Sequence, residues 1–252
     1  MDVGNDPIPT CVTSGVDSDP VRAVATLRQA VALKYLGGSG VEVGAGDRPF
    51  SLPAGAHAIY GDIRDSAGLE QFFKTTKIQP GQTIDAQTFA NIADASLDFV
   101  ISAHVIEHLR DPVGSIVHAL RVLRPGGIHL LVVPDLRFTF DRRRPQTTVE
   151  HSLRDFSDGG GGTCEQAYEE HLRYVHPELT GEELPEAEIR RQAAASAERW
   201  EECDIHFHAW RRDGFEALLA AIAEIVTFRV EETVSVVNEN IFVLRKPAQP
   251  PA

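Results

Sequence analysis

Residues 96–135 read SLDFVISAHVIEHLRDPVGSIVHALRVLRPGGIHLLVVPD. Leu97 to Ile101 is a strand in which Phe99 and Ile101 alternate against an equally apolar Val100, as burial on both faces permits. Asp111-Pro112 supplies a helix cap followed by proline at the first helical position. Val113, Ile116, Val117 and Leu120 then fall at i, i+3, i+4 and i+7, an amphipathic stripe. Arg124-Pro125-Gly126-Gly127 closes that helix, and Ile128 to Val133 is a second buried strand. A strand–helix–strand unit of this length is a crossover, so the two strands run parallel.

The same rhythm extends outward from this block. Upstream, Asp19-Pro20 opens a helix carrying Val24, Leu27, Val31 and Tyr35, which Gly37-Gly38 stops. Strands are expected at Val41–Val43, at Ala58–Tyr60 running into Gly61-Asp62, and near Thr83–Asp85, with a helix from Ser66 to Phe73. Downstream, Asp213 reads as the cap of a helix bearing Phe215, Leu218, Leu219 and Ile222, followed by strands near Ile225–Val230 and Ile241–Leu244. Strands alternating with helices in this way predict an α/β fold: a Rossmann-like, doubly wound, mainly parallel seven-stranded sheet. Between residues 135 and 212 the rhythm breaks into a charged, His- and Arg-rich stretch that includes Gly159 to Gly162. That stretch is a helical and loop insertion after the fifth strand, with helices near Glu165–Tyr174 and Glu186–Trp200. The expected organisation is a flexible N-terminus over 1–18, one domain over 19–246 and a flexible tail over 247–252.

Composition narrows the function. The chain has 252 residues and a formal net charge of −13, a field that disfavours binding to nucleic acid. No apolar run approaches the roughly 20 residues of a membrane span, and MDVGNDPIPT has neither the basic flank nor the apolar stretch of a signal peptide. A cytoplasmic location is the expectation. Cys11, Cys164 and Cys203 are too few and too far apart for a disulfide framework or a zinc finger.

The segment GVEVGAGDRPF, residues 40–50, places glycines directly after a strand, where the backbone must approach a ligand closely. In open α/β sheets, ligands sit outside the carboxyl ends of the strands. A dinucleotide fingerprint needs a further glycine three residues past the second, and that position is Pro49. With the 96–135 block, this segment resembles the class I S-adenosylmethionine-dependent methyltransferases, the bacterial type-11 group in particular. The likeness is good over residues 39–134 and looser across the C-terminal helix and strands. It implies S-adenosylmethionine as cofactor, with a divalent metal not expected. Glu42, Gly44, Ala45 and Gly46 would line the methionine end, Asp62 and Ile63 the ribose, Asp85 and Ala86 the adenine, and Ser102 and His104 the floor beneath the methyl group. Arg48 departs from the pattern, because many members carry another glycine there.

His104, Glu107 and His108 stand at i, i+3 and i+4, one face of a helical turn. Methyl transfer to oxygen or nitrogen needs positioning and a base, and histidine serves near neutral pH. Literally the three residues spell H-x-x-E-H, a zinc-peptidase signature. Some quinone-type O-methyltransferases carry an acid and a Glu-His pair here and use a divalent metal, which makes Glu107 and His108 an alternative pair of metal ligands. In the insertion, PDLRFTFDRRRPQTTVEH and DIHFHAW are similar to blocks of methyltransferases found near glycan-biosynthesis genes. Extended, DIHFHAW would put His206, His208 and Trp210 on one face. The candidate catalytic residues are His104, His108, His206, His208 and Asp135, and the candidate substrate contacts are Asp141, Arg143, His151 and Trp210. The run Arg142-Arg143-Arg144 reads either as an anion clamp or as a salt-bridged face.

The reading is a methyltransferase acting on oxygen of a sugar, glycan precursor or small metabolite. Its rivals are a metal-dependent hydrolase built on His104, Glu107 and His108, and a non-catalytic binding protein of the same fold. The partners implied are a small-molecule or glycan-type substrate, no nucleic acid and no membrane span, with a homodimer left open.

Overall fold

Asp-Pro caps open two helices of this chain, and glycines flank its first strand. The structure is a computed structural model that describes residues 19–79 and 81–248. Helix α1 (Pro20–Tyr35) leads into β1 (Gly38–Val43) and β2 (Ala56–Asp62), followed by α2 (Ser66–Phe73), β3 (Gln82–Thr83) and β4 (Leu97–Ala103). Then come α3 (Pro112–Val122) and β5 (Leu123–Pro134). The insertion holds α4 (Val149–Asp158), α5 (Cys164–Glu170), α6 (His176–Thr180) and α7 (Glu186–Ala197). Helix α8 (Arg212–Ala223), β6 (Arg229–Val236) and β7 (Glu239–Arg245) complete the domain.

The strands form one seven-stranded sheet in the order β3-β2-β1-β4-β5-β7-β6. Strands β1 to β5 pair in parallel, while β7 is antiparallel to both β5 and β6. The chain winds one way from β1 and the other way from β4, so the switch point lies between these two neighbours. Alternate residues of β5 serve two layers. Leu131 and Val133 pack under α3 and α8 with Ile116, Leu120, Phe215 and Leu218, whereas Ile128, Leu130 and Val132 pack with Val31, Ala32 and Leu36 of the α1 layer. The doubly wound, mainly parallel sheet is as the sequence predicts. Among the described residues no helix is long and apolar enough to cross a membrane.

Five local expectations need correction. The strand near 83–85 ends at Thr83 because the Asp85 carboxylate turns the chain, accepting from Gln87 N–H at 2.8 Å and Thr88 Oγ1 at 2.9 Å. Residues 124–127 belong to β5 rather than forming a loop after α3. Asp213 lies inside α8, whose N-cap is Arg211. Ile225 and Val226 finish α8, both donating to the Ile222 carbonyl, so the next strand starts only at Arg229. Helix α4 was not expected: its apolar stripe is short, Val149, Leu153 and Phe156 among polar residues, and its fully buried side chains are Ser152 and Asp155. The expected flexible N-terminus 1–18, with Cys11, and residues 249–252 of the tail expected over 247–252 lie outside the described residues.

Candidate functional site

The glycine loop leaves the end of β1 with Gly44 at φ 69° and Gly46 at φ 53°, left-handed values that glycine tolerates best. Gly44 N–H donates to the Gly61 carbonyl at 2.8 Å, which fastens the loop to the end of β2. A Cβ on Gly46 would lie 2.6 Å from the Phe73 ring. The cleft beside this loop is lined by Ala45, Gly46, Asp62, Arg64, Ser66 and Gly81, among others. Asp62 closes β2 at its edge; Oδ1 accepts from Arg64 N–H at 2.9 Å, and burial raises its pKa. Ile63 beside it is exposed.

Glu42 does not face this cleft. Its buried carboxylate receives the Phe50 N–H at 3.0 and 3.1 Å and so anchors the far end of the loop. Burial raises its pKa to about 7. A carboxyl whose folded pKa lies above its unfolded value contributes stability in acid, and that contribution is lost as pH rises through about 7. Glu42→Gln is therefore expected to stabilise the protein at pH 8 by up to about 3 kcal/mol and to change little at pH 4, below the ordinary carboxylate pKa. Thermal unfolding of both proteins across that range checks it, and equal pH slopes would contradict it.

The floor at the end of β4 is built differently from the expectation. Ser102 is buried, with its Oγ 3.2 Å from Nε2 of His129, so it serves the core and not a ligand. His104 takes φ 53° and places Nε2 2.9 Å from Glu239 and Nδ1 3.6 Å from Glu107. Held between the two carboxylates, and despite burial, its pKa rises to about 9. Both of its ring nitrogens face carboxylates, so His104 does not join Glu107 and His108 in the H-x-x-E-H arrangement of the hydrolase reading.

Residues 106–108 form a single 3-10 turn. Its Glu107 carbonyl accepts the His208 N–H at 3.1 Å, which lays the DIHFHAW segment across the turn. His206 thereby meets His108 edge to face, with ring centroids 4.6 Å apart. Each ring uses Nδ1 on a carboxylate: His108 on Asp204 at 2.7 Å, His206 on Asp141 at 2.6 Å. Asp204 also holds Arg64 at 3.1 Å, linking this pair to the cofactor-side cleft.

The remaining candidates fall away from the opening. His208 is fully buried, bonded to Asp155 at 2.8 Å and stacked on Trp210. Trp210 is itself core, packed edge-on to Phe215, so neither residue meets a substrate, and His206 does not share their face. His151 lies against the same Asp155 at 3.3 Å. Asp135 is buried and chelated by Arg137, with Asn240 at 3.3 Å, a bracket between β5 and β7 and not a base. Asp141 is also buried and spends its carboxylate on His206 and Arg144. Arg142 and Arg143 both pair with Glu178 at 2.6 Å, so the run is salt-bridged. Asp204 and Glu239, which hold His108 and His104, were missed. Asp204 opens the DIHFHAW motif itself, so its carboxylate beside two histidines was the available signal, whereas Glu239 reaches His104 only through the β5–β7 pairing.

Residues 41–131 match a family model described as a methyltransferase domain of the Methyltransf_11 type. Over that stretch, about a third of the chain, the sequence is of methyltransferase type. A probable S-adenosylmethionine-dependent methyltransferase of Mycolicibacterium smegmatis is 45% identical over 53 residues, 21% of this chain and 20% of that one. The match thus spans about a fifth of that curated relative. Among solved structures, a protein of Pyrococcus horikoshii OT3 is 17% identical over 92% of this chain and 93% of its own, with a TM-score of 0.49. The CurJ carbon methyltransferase is 16% identical over 88% of this chain and 54% of its own, with a TM-score of 0.48. The matched region runs from within β1 to within β5, and the insertion with its histidines lies beyond it.

Proposed function

We propose that this chain transfers a methyl group from S-adenosylmethionine to an oxygen of a sugar, glycan precursor or small metabolite. The observation that carries the reading is the left-handed Gly44–Gly46 loop at the carboxyl end of β1, which shares one cleft with the half-buried Asp62 at the end of β2. Gly44, Ala45 and Gly46 would hold the methionine end by their backbone. Asp62 would accept from the ribose hydroxyls, beside Ile63, and Asp85 with Ala86 would border the adenine. The bound cofactor supplies an electrophilic methyl group on a sulfonium.

This chain's own residues supply position and proton acceptance. His104 is a cation and orients through Glu107 and Glu239. Because the Nδ1–H groups of His108 and His206 are donated to carboxylates, the Nε2 atoms hold the lone pairs. With Glu107 they line the end of the site at which an acceptor hydroxyl would be positioned and lose its proton. Asp141 and Asp204 act as positioning residues behind those rings.

The test uses methyl-labelled S-adenosylmethionine with a panel of free sugars, nucleotide sugars and hydroxylated small metabolites. The expected product carries label in a base-stable O-methyl ether. Label confined to nitrogen, carbon or base-labile esters, or absent from every acceptor, would overturn the oxygen assignment.

A further inference from the structure

Glu107 is the most anomalous charged residue of the structure. Its side chain is 1% exposed, and among the described residues neither carboxylate oxygen has a hydrogen-bond partner. A buried carboxylate in that state is costly unless something cationic completes it. The His104 ring at 3.6 Å approaches one oxygen only. On the other side stand two imidazoles whose Nδ1 atoms are already committed.

We propose that Glu107, His108 and His206 bind a divalent transition-metal ion of the zinc type, with Asp204 and Asp141 as the outer carboxylates that orient the two rings. One ligand atom from each of the three residues lies within 4.8 Å of the other two. Bond lengths of about 2.0–2.2 Å to nitrogen and oxygen place tetrahedral ligand atoms about 3.3 Å apart. Small rotations of the side chains therefore close the triangle. A carboxylate behind a ligating histidine fixes its tautomer and raises its basicity, and here both rings have one. Two nitrogens and one oxygen suit zinc and its neighbours better than magnesium or calcium, which prefer oxygen alone. His108 is one-third exposed, so the site keeps an entry path and an open position.

This set differs from the H-x-x-E-H reading of the sequence. His104 is excluded because both of its nitrogens face carboxylates, and the third ligand arrives from the insertion, about a hundred residues downstream. A second group, His151, Asp155 and His208, has similar composition. There the carboxylate is already shared among Thr163, His151 and His208, so it is closed and serves as a control.

The test titrates chelator-treated full-length protein with Co2+ as a spectroscopic probe and displaces it with Zn2+. Wild type is expected to take up one equivalent with a d–d spectrum of low coordination number. Glu107→Gln and His206→Ala should weaken uptake at least about 100-fold, and Asp204→Asn, an outer and partly exposed position, about 10-fold to 100-fold. His151→Ala should leave it unchanged. No uptake by wild type overturns the site, as does uptake indifferent to Glu107→Gln, His206→Ala and Asp204→Asn, or uptake lost in His151→Ala. If His206→Ala fails to fold, Asp204→Asn decides. Neither cofactor nor acceptor is present, so failure here and failure of methyl transfer are separate results.

Discussion

Arg144→Met is expected to lower the free energy of unfolding by about 3–5 kcal/mol, the cost of removing one partner from a buried ionic network. The Arg144 side chain is fully buried. It donates to Asp141 at 3.2 Å, to Glu170 at 3.1 Å, and to the carbonyls of His206 and Phe207 at 2.6 and 3.1 Å. Methionine fills the volume but leaves two carbonyls and part of a buried carboxylate unpaired, each a desolvation penalty. Arg144→Lys should recover only part of the loss, because an ammonium cannot reproduce the fork that meets four acceptors. Denaturant unfolding measures both variants. A loss below about 1 kcal/mol for Met would mean that water replaces the guanidinium and that the insertion does not depend on it.

The same network explains what the sequence could and could not disclose. The sheet was legible because its strands are continuous apolar runs and two of its helices open on Asp-Pro, at Asp19 and Asp111; in the structure both carboxylates cap, accepting from Val21 and Gly114. The insertion was legible only in its helices near 165–174 and 186–200, because polar groups hold much of the rest together. Asp155 gathers His208, His151 and Thr163, and Arg144 gathers two carboxylates and two carbonyls. Such pairings leave no periodic trace, which is how His208, with Trp210 stacked on it, turned out to be interior. The glycine loop and Asp62 were found where expected because both answer to local backbone needs at strand ends. Glu42 was placed in the correct strand but given the wrong task, since its partner is a backbone N–H eight residues on, a contact set by the path of the loop.

His104 shows the limit most clearly. Its spacing with Glu107 and His108 suggested three residues acting on one face. A left-handed residue at the end of β4 turns its ring toward Glu239 of β7 instead, and the pairing with two carboxylates makes it a cation. The functional grouping moved to His108 and His206, which only the fold of the insertion could bring together.

The central claim, that the cleft between the Gly44–Gly46 loop and Asp62 holds S-adenosylmethionine, has its most direct test in calorimetric titration with S-adenosylhomocysteine. Asp62 stands at the carboxyl end of β2, mostly buried, where an ionised oxygen would accept from two ribose hydroxyls. Hydrogen bonds to a charged acceptor are worth about 1.5–3 kcal/mol each. Asp62→Ala should therefore weaken binding at least about 100-fold, which corresponds to about 2.8 kcal/mol. The account predicts one site per chain with micromolar affinity in the wild type and that loss in the variant. Folded wild-type protein, freed of any copurified ligand, that binds no S-adenosylhomocysteine would contradict it, as would an Asp62→Ala variant that binds as tightly as wild type.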